Sequence, residues 1–305
     1  MIKKKYKVCV LLAAYNCEKW IEEQVESIFK QKNVNIDLYI NLDLSSDNSF
    51  LVIQNLKKIY SNIYLIHTKK KFGNAAQNFF YLLKFVNFKG YDFISLSDQD
   101  DIWFNYKITN AIKYLIRFNC SGYASNVLAY RNSKIICLIN KSQKQKKYDY
   151  FFEGGGPGCT FVIPTKVAID IQINIKNNKN LIKKMIFHDW YIYFFIRCRD
   201  ERWFIDKKPS MLYRQHSSNE LGANIGLKSY YKRLKFIFSG SLSEQIKLLC
   251  KCCIKKNNNK YKEILFNKNR SIFFFILNFT EFRRKKKDQF IFLLLIIFLF
   301  LTKQI

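Results

Sequence analysis

The sequence predicts an α/β protein built on a doubly wound mixed sheet, with a helical, basic extension at its C-terminus. Through the first hundred residues, short apolar runs alternate with segments of helical periodicity, and a polar loop follows each apolar run. This alternation predicts parallel strands with right-handed crossovers and helices on both faces of the sheet. The extension is predicted from its charge, because 226–305 holds 18 basic and 4 acidic residues.

The individual elements follow from the spacing of apolar residues. Residues 8–13 form a continuous apolar run, typical of a strand that is buried on both faces. We expect further strands at 37–42, 63–67 and 91–97, and helices at 18–31, 50–59 and 75–85. Asn16 is the expected cap of the first helix. The second half is less regular, with a glycine-rich loop at 154–158, a strand at 159–163 and a helix at 181–196.

Composition narrows the class of protein. The apolar content of 49% excludes a disordered chain. The longest apolar run, 290–301, is shorter than the ~18–20 residues that a membrane-spanning helix needs. The basic N-terminus lacks the apolar segment of a signal peptide, and nine scattered cysteines favour free thiols in a reducing compartment. We therefore expect a cytoplasmic protein.

The net charge of +29 suits nucleic acid, an anionic membrane surface or a phosphorylated substrate, and charge alone does not choose among them. The tail joins a basic cluster at 283–287 to the apolar run at 290–301. Electrostatic attraction together with apolar insertion can hold a protein on the inner face of the cell membrane. The alternative is that 290–301 forms a helix buried in the core.

An acidic turn directly after the fourth strand is the strongest chemical signal. Ser97-Asp98-Gln99-Asp100-Asp101 places three carboxylates within four residues. Such carboxylates repel one another, so an ordered turn needs a cation, and Mg²⁺ or Mn²⁺ is the obvious partner. In doubly wound sheets ligands bind at the carboxyl ends of the strands, which is where this turn is expected.

Three successive motifs resemble those of family 2 glycosyltransferases with the GT-A fold. They are Val10-Leu11-Leu12-Ala13-Ala14-Tyr15-Asn16, then Asp43 with Ser45-Ser46-Asp47-Asn48-Ser49, then Ser97-Asp98-Gln99-Asp100-Asp101-Ile102-Trp103. The third form is similar to rhamnosyltransferase-like enzymes of bacterial surface polysaccharide and lipopolysaccharide assembly. The resemblance implies a GT-A domain over 1–225, with a nucleotide-binding half at 1–110 and an acceptor-binding half at 111–225, followed by the extension at 226–305.

The resemblance also implies an inverting, metal-dependent hexosyltransferase. Its donor would be a nucleotide-diphosphate sugar of rhamnose or another hexose, and its acceptor a growing glycan or a lipid-linked glycan. Asp98 would lie near the ribose, and Asp100 would bind the metal that bridges the diphosphate. Asp101 would be either a neighbour of the metal ligands or a helix cap. Ala14, Tyr15 and Asn16, after the first strand, would line the pocket of the nucleotide base, and Asp43, after the second strand, would help bind the base or the ribose.

Further candidates lie in the second half. Asp189 matches the position of the family's catalytic base, and its alternative role is to cap a helix. Tyr213-Arg214-Gln215-His216 resembles the closing motif, in which Arg214 would bind the leaving group and His216 the metal or pyrophosphate. The alternative for this motif is a surface turn. Gly158 would let the backbone approach the donor sugar, or would belong to a plain turn.

Two other functions are compatible with parts of the sequence. Nucleotidyl transfer also pairs a doubly wound sheet with metal-binding carboxylates, but it needs a Gly-rich, Lys-containing phosphate loop that 14–17 does not offer. A non-catalytic basic protein that binds membranes or nucleic acid is the second alternative. Because the carboxylate-lined edge would repel phosphates without a metal, nucleic acid is not an expected partner.

Overall fold

The computed structural model describes residues 5–67, 70–216, 227–254 and 268–301. The strands are β1 (Tyr6–Ala14), β2 (Val34–Leu42), β3 (Ile63–Ile66), β4 (Phe93–Ser97), β5 (Ile102–Trp103), β6 (Gly122–Ser125), β7 (Val127–Arg131), β8 (Lys134–Ile139), β9 (Val162–Pro164), β10 (Trp203–Asp206) and β11 (Met211–Arg214).

The helices of the first 200 residues are α1 (Ile21–Phe29), α2 (Ser49–Ile59), α3 (Ala75–Phe85), α4 (Lys107–Phe118), α5 (Thr165–Asn177), α6 (Lys179–Ile182) and α7 (His188–Arg197). The C-terminal helices are α8 (Leu227–Phe238), α9 (Ser241–Cys253), α10 (Lys268–Leu277), α11 (Phe279–Phe282) and α12 (Lys286–Leu301). Short 3-10 turns lie at Asp149–Phe151 and Gly158–Thr160.

A seven-stranded mixed sheet forms the centre of the molecule, in the order β10-β6-β9-β4-β1-β2-β3. Strand β9 runs antiparallel to both of its neighbours, and the remaining pairs are parallel. A second sheet has the order β5-β11-β7-β8 and brings β11 next to the segment that follows β4. The predicted α/β class, with a doubly wound mixed sheet, is confirmed.

The apolar run of β1 is buried because helices cover both faces of the sheet. Cys9, Leu11 and Ala13 share a core cluster with α3, α5 and α7. Val8, Val10 and Leu12 of the same strand share the other cluster with α1, α2 and α4. The side chains of a strand alternate between faces, so a strand between two helical layers is apolar at every position.

The C-terminal helices pack against the first of these clusters. Leu249 and Cys253 of α9 and Phe292 and Ile296 of α12 are buried together with side chains of α5 and α7. The domain boundary at residue 225 stays a prediction, but the structure shows that helices on either side of it share one core.

Helix α12 has two different faces. Phe292 and Ile296 are buried, whereas Phe290 and Leu294 are 60% and 68% exposed. Within the residues described, no helix combines the length and the apolarity needed to cross a bilayer.

Two expectations about helices are wrong. Asn16 does not cap α1, because that helix begins at Ile21 and Asn16 bonds to a neighbouring loop. The single helix expected at 181–196 is instead divided into α6 and α7. Side chains from other elements satisfy the backbone between them: Gln77 donates to the carbonyls of 182 and 185, and Gln245 bonds to 184 and 186. These bonds replace the helical ones, so the helix need not continue.

The strand expected at 159–163 is shorter than predicted and begins three residues further along the chain. Residues 158–160 form a 3-10 turn, and the paired strand is β9 (Val162–Pro164).

Candidate active site

The loops that follow β1, β2 and β4 are bonded to one another at the carboxyl edge of the sheet. The side chain of Gln99 accepts a hydrogen bond from the Tyr15 amide at 2.5 Å and donates to the Tyr15 carbonyl at 2.8 Å. The Tyr15 side chain itself is half-exposed. The predicted base-binding residue Tyr15 and the acidic turn are therefore held together by one glutamine.

Asn16 holds the first loop to the second. Its backbone has a φ of +45°, a left-handed conformation that asparagine tolerates better than most residues. Its amide donates to Ser45 Oγ at 3.0 Å, and its side-chain oxygen accepts from the Ser46 amide at 2.9 Å.

Asp43 fixes the third loop. Its carboxylate accepts hydrogen bonds from the backbone amides of Phe72 at 2.9 Å and Gly73 at 3.1 Å. Its own amide donates to the carbonyl of Ala14, which is buried at the end of β1. Ala14 and Asp43 thus lie where the sequence argument expected them, at the ends of adjacent strands.

The acidic turn contains one carboxylate that is completely buried. Asp101 Oδ1 accepts from the Arg214 amide at 3.2 Å, and its Oδ2 has no hydrogen-bond partner among the described residues. Burial raises the pKa of Asp101 well above its usual range, and the nearby carboxylates of Asp100 and Asp98 raise it further.

A buried lysine of the protein lies close to this turn. Lys107 is fully buried, lies 3.3 Å from the centroid of the Trp103 ring and donates to Ser95 Oγ at 3.1 Å. Burial lowers the pKa of Lys107 to about 7, although Cys159 and Asp101 oppose this shift. The turn is thus accompanied by an amine of the protein itself, whereas its acidic sequence alone suggested a metal.

The two residues predicted to bind metal lie side by side. His216 Nε2 and Asp100 Oδ2 are 2.7 Å apart, and both side chains are slightly exposed. The His216 ring stacks on Trp20 with centroids 5.5 Å apart. Arg214 lies over the same Trp20 ring, donates through Nε to the Asp100 carbonyl at 2.8 Å and pairs with Glu23. The closing motif is therefore packed against the acidic turn.

The donor atoms of this site suit a hard divalent cation at Asp100 and His216. Carboxylate oxygen with imidazole nitrogen is a combination that Mn²⁺ accepts, and Mg²⁺ prefers oxygen. A second group, Asp98, Asp101 and Cys159, also has ligand atoms within 4.8 Å of one another. Burial raises the pKa of the Cys159 thiol, and a protonated thiol is a poor ligand for such ions. We therefore favour the slightly exposed pair.

Asp189 is connected to the acidic turn through two consecutive residues. Cys159 lies against Asp98 and Asp101, and the preceding Gly158 packs against Asp189: a Cβ built on Gly158 would lie 3.1 Å from Asp189 Cβ. The candidate base and the acidic turn are therefore linked by contacts through two adjacent residues.

The surroundings of Asp189 are partly apolar. It is the second residue of α7, and the capping position is occupied by Phe187. Its Oδ1 accepts from the Trp190 amide at 2.8 Å. Burial raises the pKa of Asp189, and burial lowers that of its neighbour His188 to about 3, so the imidazole is neutral at physiological pH.

Comparison with known proteins assigns this chain to a family. A profile described as Glycosyl transferase family 2 matches residues 9–150. The chain is 42% identical over 290 residues to the dTDP-rhamnosyl transferase RfbG of Shigella flexneri, covering 94% of this chain and 99% of that protein. The chain belongs to glycosyl transferase family 2. It is a glycosyltransferase, as its three motifs indicated.

Solved structures show that this glycosyltransferase has the GT-A fold. S. aureus TarS 1-349 in complex with UDP is similar with a TM-score of 0.57 and 14% identity, over 93% of this chain and 77% of that one. The mannosyltransferase PcManGT of Pyrobaculum calidifontis, in complex with GDP-Man and Mn²⁺, has a TM-score of 0.53 and 11% identity, over 87% and 70%. Family 2 enzymes of this fold typically use a divalent metal.

Sequence reasoning missed several residues of the glycosyltransferase's candidate site. Gln99 lies inside the acidic motif, but its bonds to the first loop depend on the order of the strands. Trp20 lies outside the three motifs, and its ring stacks with His216 of the closing motif. Lys107 could have been noticed, because a lysine at the start of a strongly amphipathic helix, four residues after a tryptophan, can lie over its ring.

Proposed function

We propose that this glycosyltransferase moves a deoxyhexose, such as rhamnose, from a nucleoside-diphosphate donor to a surface polysaccharide or lipid-linked glycan acceptor. The name of the 42% identical relative, a dTDP-rhamnosyl transferase, supports dTDP-rhamnose as the first donor to test. The proposed mechanism is supported by the contacts of two adjacent residues: Gly158 packs against Asp189, and Cys159 lies against the acidic turn.

The donor would lie along the loops at the carboxyl edge. Ala14, Tyr15, Asn16 and Asp43 would surround the base, with Asp98 near the ribose. The bonds of Gln99 to Tyr15 and of Asn16 to Ser46 support this role, because they fix the pocket's shape before the donor arrives. Gly158 would lie beside the sugar, where the absence of a side chain leaves room.

Asp100 and His216 would hold Mg²⁺ or Mn²⁺. A bound divalent ion offsets the negative charge that collects on the departing diphosphate. Arg214 would bind the same leaving group, since its guanidinium is already aligned against Trp20 and the Asp100 carbonyl. The sequence Asp100-Asp101 thus combines two roles: Asp100 faces the diphosphate, and buried Asp101 anchors the strand that carries Arg214.

Asp189 would act as the general base. Its carboxylate would take the proton of the acceptor hydroxyl while that oxygen attacks the anomeric carbon from the face opposite the diphosphate. The bond between the sugar and the diphosphate breaks as the new glycosidic bond forms, so the configuration at that carbon inverts. A raised pKa suits this role, because it makes the carboxylate a stronger base.

Transfer assays with dTDP-rhamnose, Mn²⁺ and a panel of octyl glycosides test the assignment. We expect Asp189→Asn to lower kcat by about 10²–10⁴-fold, the contribution typical of a general base. Asp100→Asn should lower it by about 10²–10³-fold, as expected when charge stabilisation is lost. Asp170→Asn, on the exposed face of α5, is the matched control. Full turnover in both site variants would refute the mechanism, and full turnover in EDTA would refute the metal.

We also propose that the enzyme works at the inner face of the cell membrane. Lys285, Lys286 and Lys287 are exposed and precede the face of α12 that carries Phe290 and Leu294. A cationic cluster followed by exposed apolar side chains matches an anionic lipid surface in both charge and polarity. A lipid-linked acceptor would be reached from this position.

A further inference from the structure

A buried arginine from the C-terminal part of the chain contacts the segment beside the candidate base. The side chain of Arg284 is only 2% exposed. A buried guanidinium is stable only when carboxylates and carbonyls satisfy it, and apolar residues would serve stability as well. The presence of this buried charge therefore calls for a role in fixing geometry.

The guanidinium of Arg284 binds three separate stretches of chain. Its Nε lies 2.7 Å from Asp149 Oδ2 and 3.2 Å from Glu153 Oε2. One terminal nitrogen donates to the Gly154 carbonyl at 2.5 Å, and the other to the Lys141 carbonyl at 3.4 Å. The planar fork of an arginine can make these contacts at once, and a lysine cannot.

Two of these contacts hold the start of the segment 153–158, which approaches Asp189 at Gly154 and Gly158. A Cβ built on Gly154 would lie 3.8 Å from Asp189 Oδ2, and one built on Gly158 would lie 3.1 Å from Asp189 Cβ. The segment therefore touches the candidate base near both of its ends, and Arg284 fixes the end nearest to the carboxylate oxygen.

We infer that Arg284 is a positioning residue, which holds the segment 153–158 against Asp189 and so makes the C-terminal part of the chain a support of the acceptor side of the active site. This inference rests on the proposed role of Asp189 as the base. Arg283 strengthens the same attachment, because it lies 3.0 Å from Glu153 and donates to the Phe152 carbonyl.

Arg197 offers a matched control. It approaches the same Asp149 from the other side, at 3.8 Å, and its side chain is also largely buried. Its hydrogen bonds go to Tyr193 Oη, the Gln145 side chain and the Lys146 carbonyl, rather than to 153–158. Losing Arg197 removes a buried arginine from the same cluster without releasing the segment.

The experiment compares Arg284→Lys, Arg284→Met, Glu153→Gln and Arg197→Met in the full chain. Amide hydrogen exchange at 153–158 is measured without ligand, dTDP affinity is measured with Mn²⁺, and transfer is measured from dTDP-rhamnose to the octyl glycosides. In the Arg284 variants we expect exchange at 153–158 to rise by about tenfold, as for one lost hydrogen bond. Acceptor kcat/KM should fall by about 10–100-fold, as for a misplaced catalytic group, with dTDP affinity unchanged.

Arg284→Lys should fall between the wild type and Arg284→Met, and Glu153→Gln should shift the same readouts in the same direction. If Arg284→Met does not fold, these two variants decide. The inference is overturned if both fold with unchanged exchange and acceptor kinetics, or if Arg197→Met produces the same changes. Hydrogen exchange does not depend on catalysis. Full turnover in Asp189→Asn would therefore refute the role of Asp189 as the base, and the exchange data would still test whether Arg284 positions 153–158.

Discussion

Replacing Gly158 with alanine tests the packing between the glycine segment and the candidate base. An added Cβ would lie 2.8 Å from His188 Nε2 and 3.1 Å from Asp189 Cβ. Gly158 begins a 3-10 turn, whose backbone an alanine can adopt, so the effect comes from the added methyl group.

The size of the effect follows from these two distances. Non-bonded carbons in contact stand about 3.5–4.0 Å apart, so Asp189 must move by a few tenths of an ångström or more, and His188 Nε2, at 2.8 Å, must move further. A misplacement of about 1 Å can lower turnover by about 10²-fold, and we therefore expect kcat to fall by about 10–100-fold. Overpacking a filled site typically destabilises a protein by about 1–3 kcal/mol, so the melting temperature should fall by several degrees.

Gly154→Ala is the matched control for this prediction. Its Cβ would have Asp189 Oδ2 at 3.8 Å as its neighbour, which is an ordinary van der Waals distance. Both variants are assayed for rhamnosyl transfer and thermal melting, and Gly154→Ala should keep turnover within about threefold, since no atom is displaced. Equal activities of the two variants, or full turnover in Gly158→Ala, would show that the position of Asp189 does not limit the reaction.

Three further predictions use the same structure. Burial raises the pKa of Asp189, and a general base must be ionised to act. As the pH is lowered, kcat/KM should therefore fall with an apparent pKa above the ~3.9 usual for aspartate. An apparent pKa at or below that value would contradict the assignment. The pKa of Lys107 is about 7 in the folded state and ~10.4 in the unfolded state. Between these two pH values the folded state binds fewer protons than the unfolded state, so stability rises with pH. The unfolding free energy of the wild type minus that of Lys107→Met should thus increase by up to ~1.4 kcal/mol per pH unit in urea titrations at pH 7.5–9, and a flat difference would contradict it. Phe290→Ser with Leu294→Ser should abolish sedimentation with phosphatidylglycerol vesicles, whereas Ile59→Ser, at an equally exposed position on α2, should not; binding that survives the double change would exclude this face.

The first half of the fold could be predicted because its signals are local. A strand buried on both faces must be apolar throughout, and β1 met that condition over 8–13. Helix α3 has the bounds expected from its periodicity, since its cap, Asn74, accepts from the Gln77 amide within the same turn. Such elements carry their boundaries in a few adjacent residues.

The break between α6 and α7 could not be predicted in this way. The side chains that satisfy the intervening backbone belong to Gln77 and Gln245, one about a hundred residues earlier and one about sixty residues later. Apolar periodicity continues across 181–196 because both helices face the same core. Periodicity reports burial, and it does not report which partner satisfies a carbonyl.

The candidate site was predictable to the extent that it consists of loops after parallel strands. Strand order alone places Tyr15 and Asp100 at the same edge of the sheet. The motif at 213–216 lies at this edge because it belongs to β11 and the residues after it, where His216 contacts Asp100. Arg284 had no such signal, because it lies in a basic cluster that was interpreted as a membrane contact. In the structure Arg283 and Arg284 turn inward to Glu153, and the lysines that follow remain exposed.

The same distinction explains why two interpretations of 290–301 were open. A run that is apolar at every position has no amphipathic pattern, so the sequence cannot say which side faces the core. In α12, Phe292 and Ile296 face the core, and Phe290 and Leu294 lie on the opposite side in water. Large apolar side chains grouped on an exposed face gain nothing from solvent, which favours a surface that covers them. Helix α12 begins two residues after Arg284, which holds the segment 153–158 beside Asp189. A lipid layer that bound α12 would therefore also restrain Arg284.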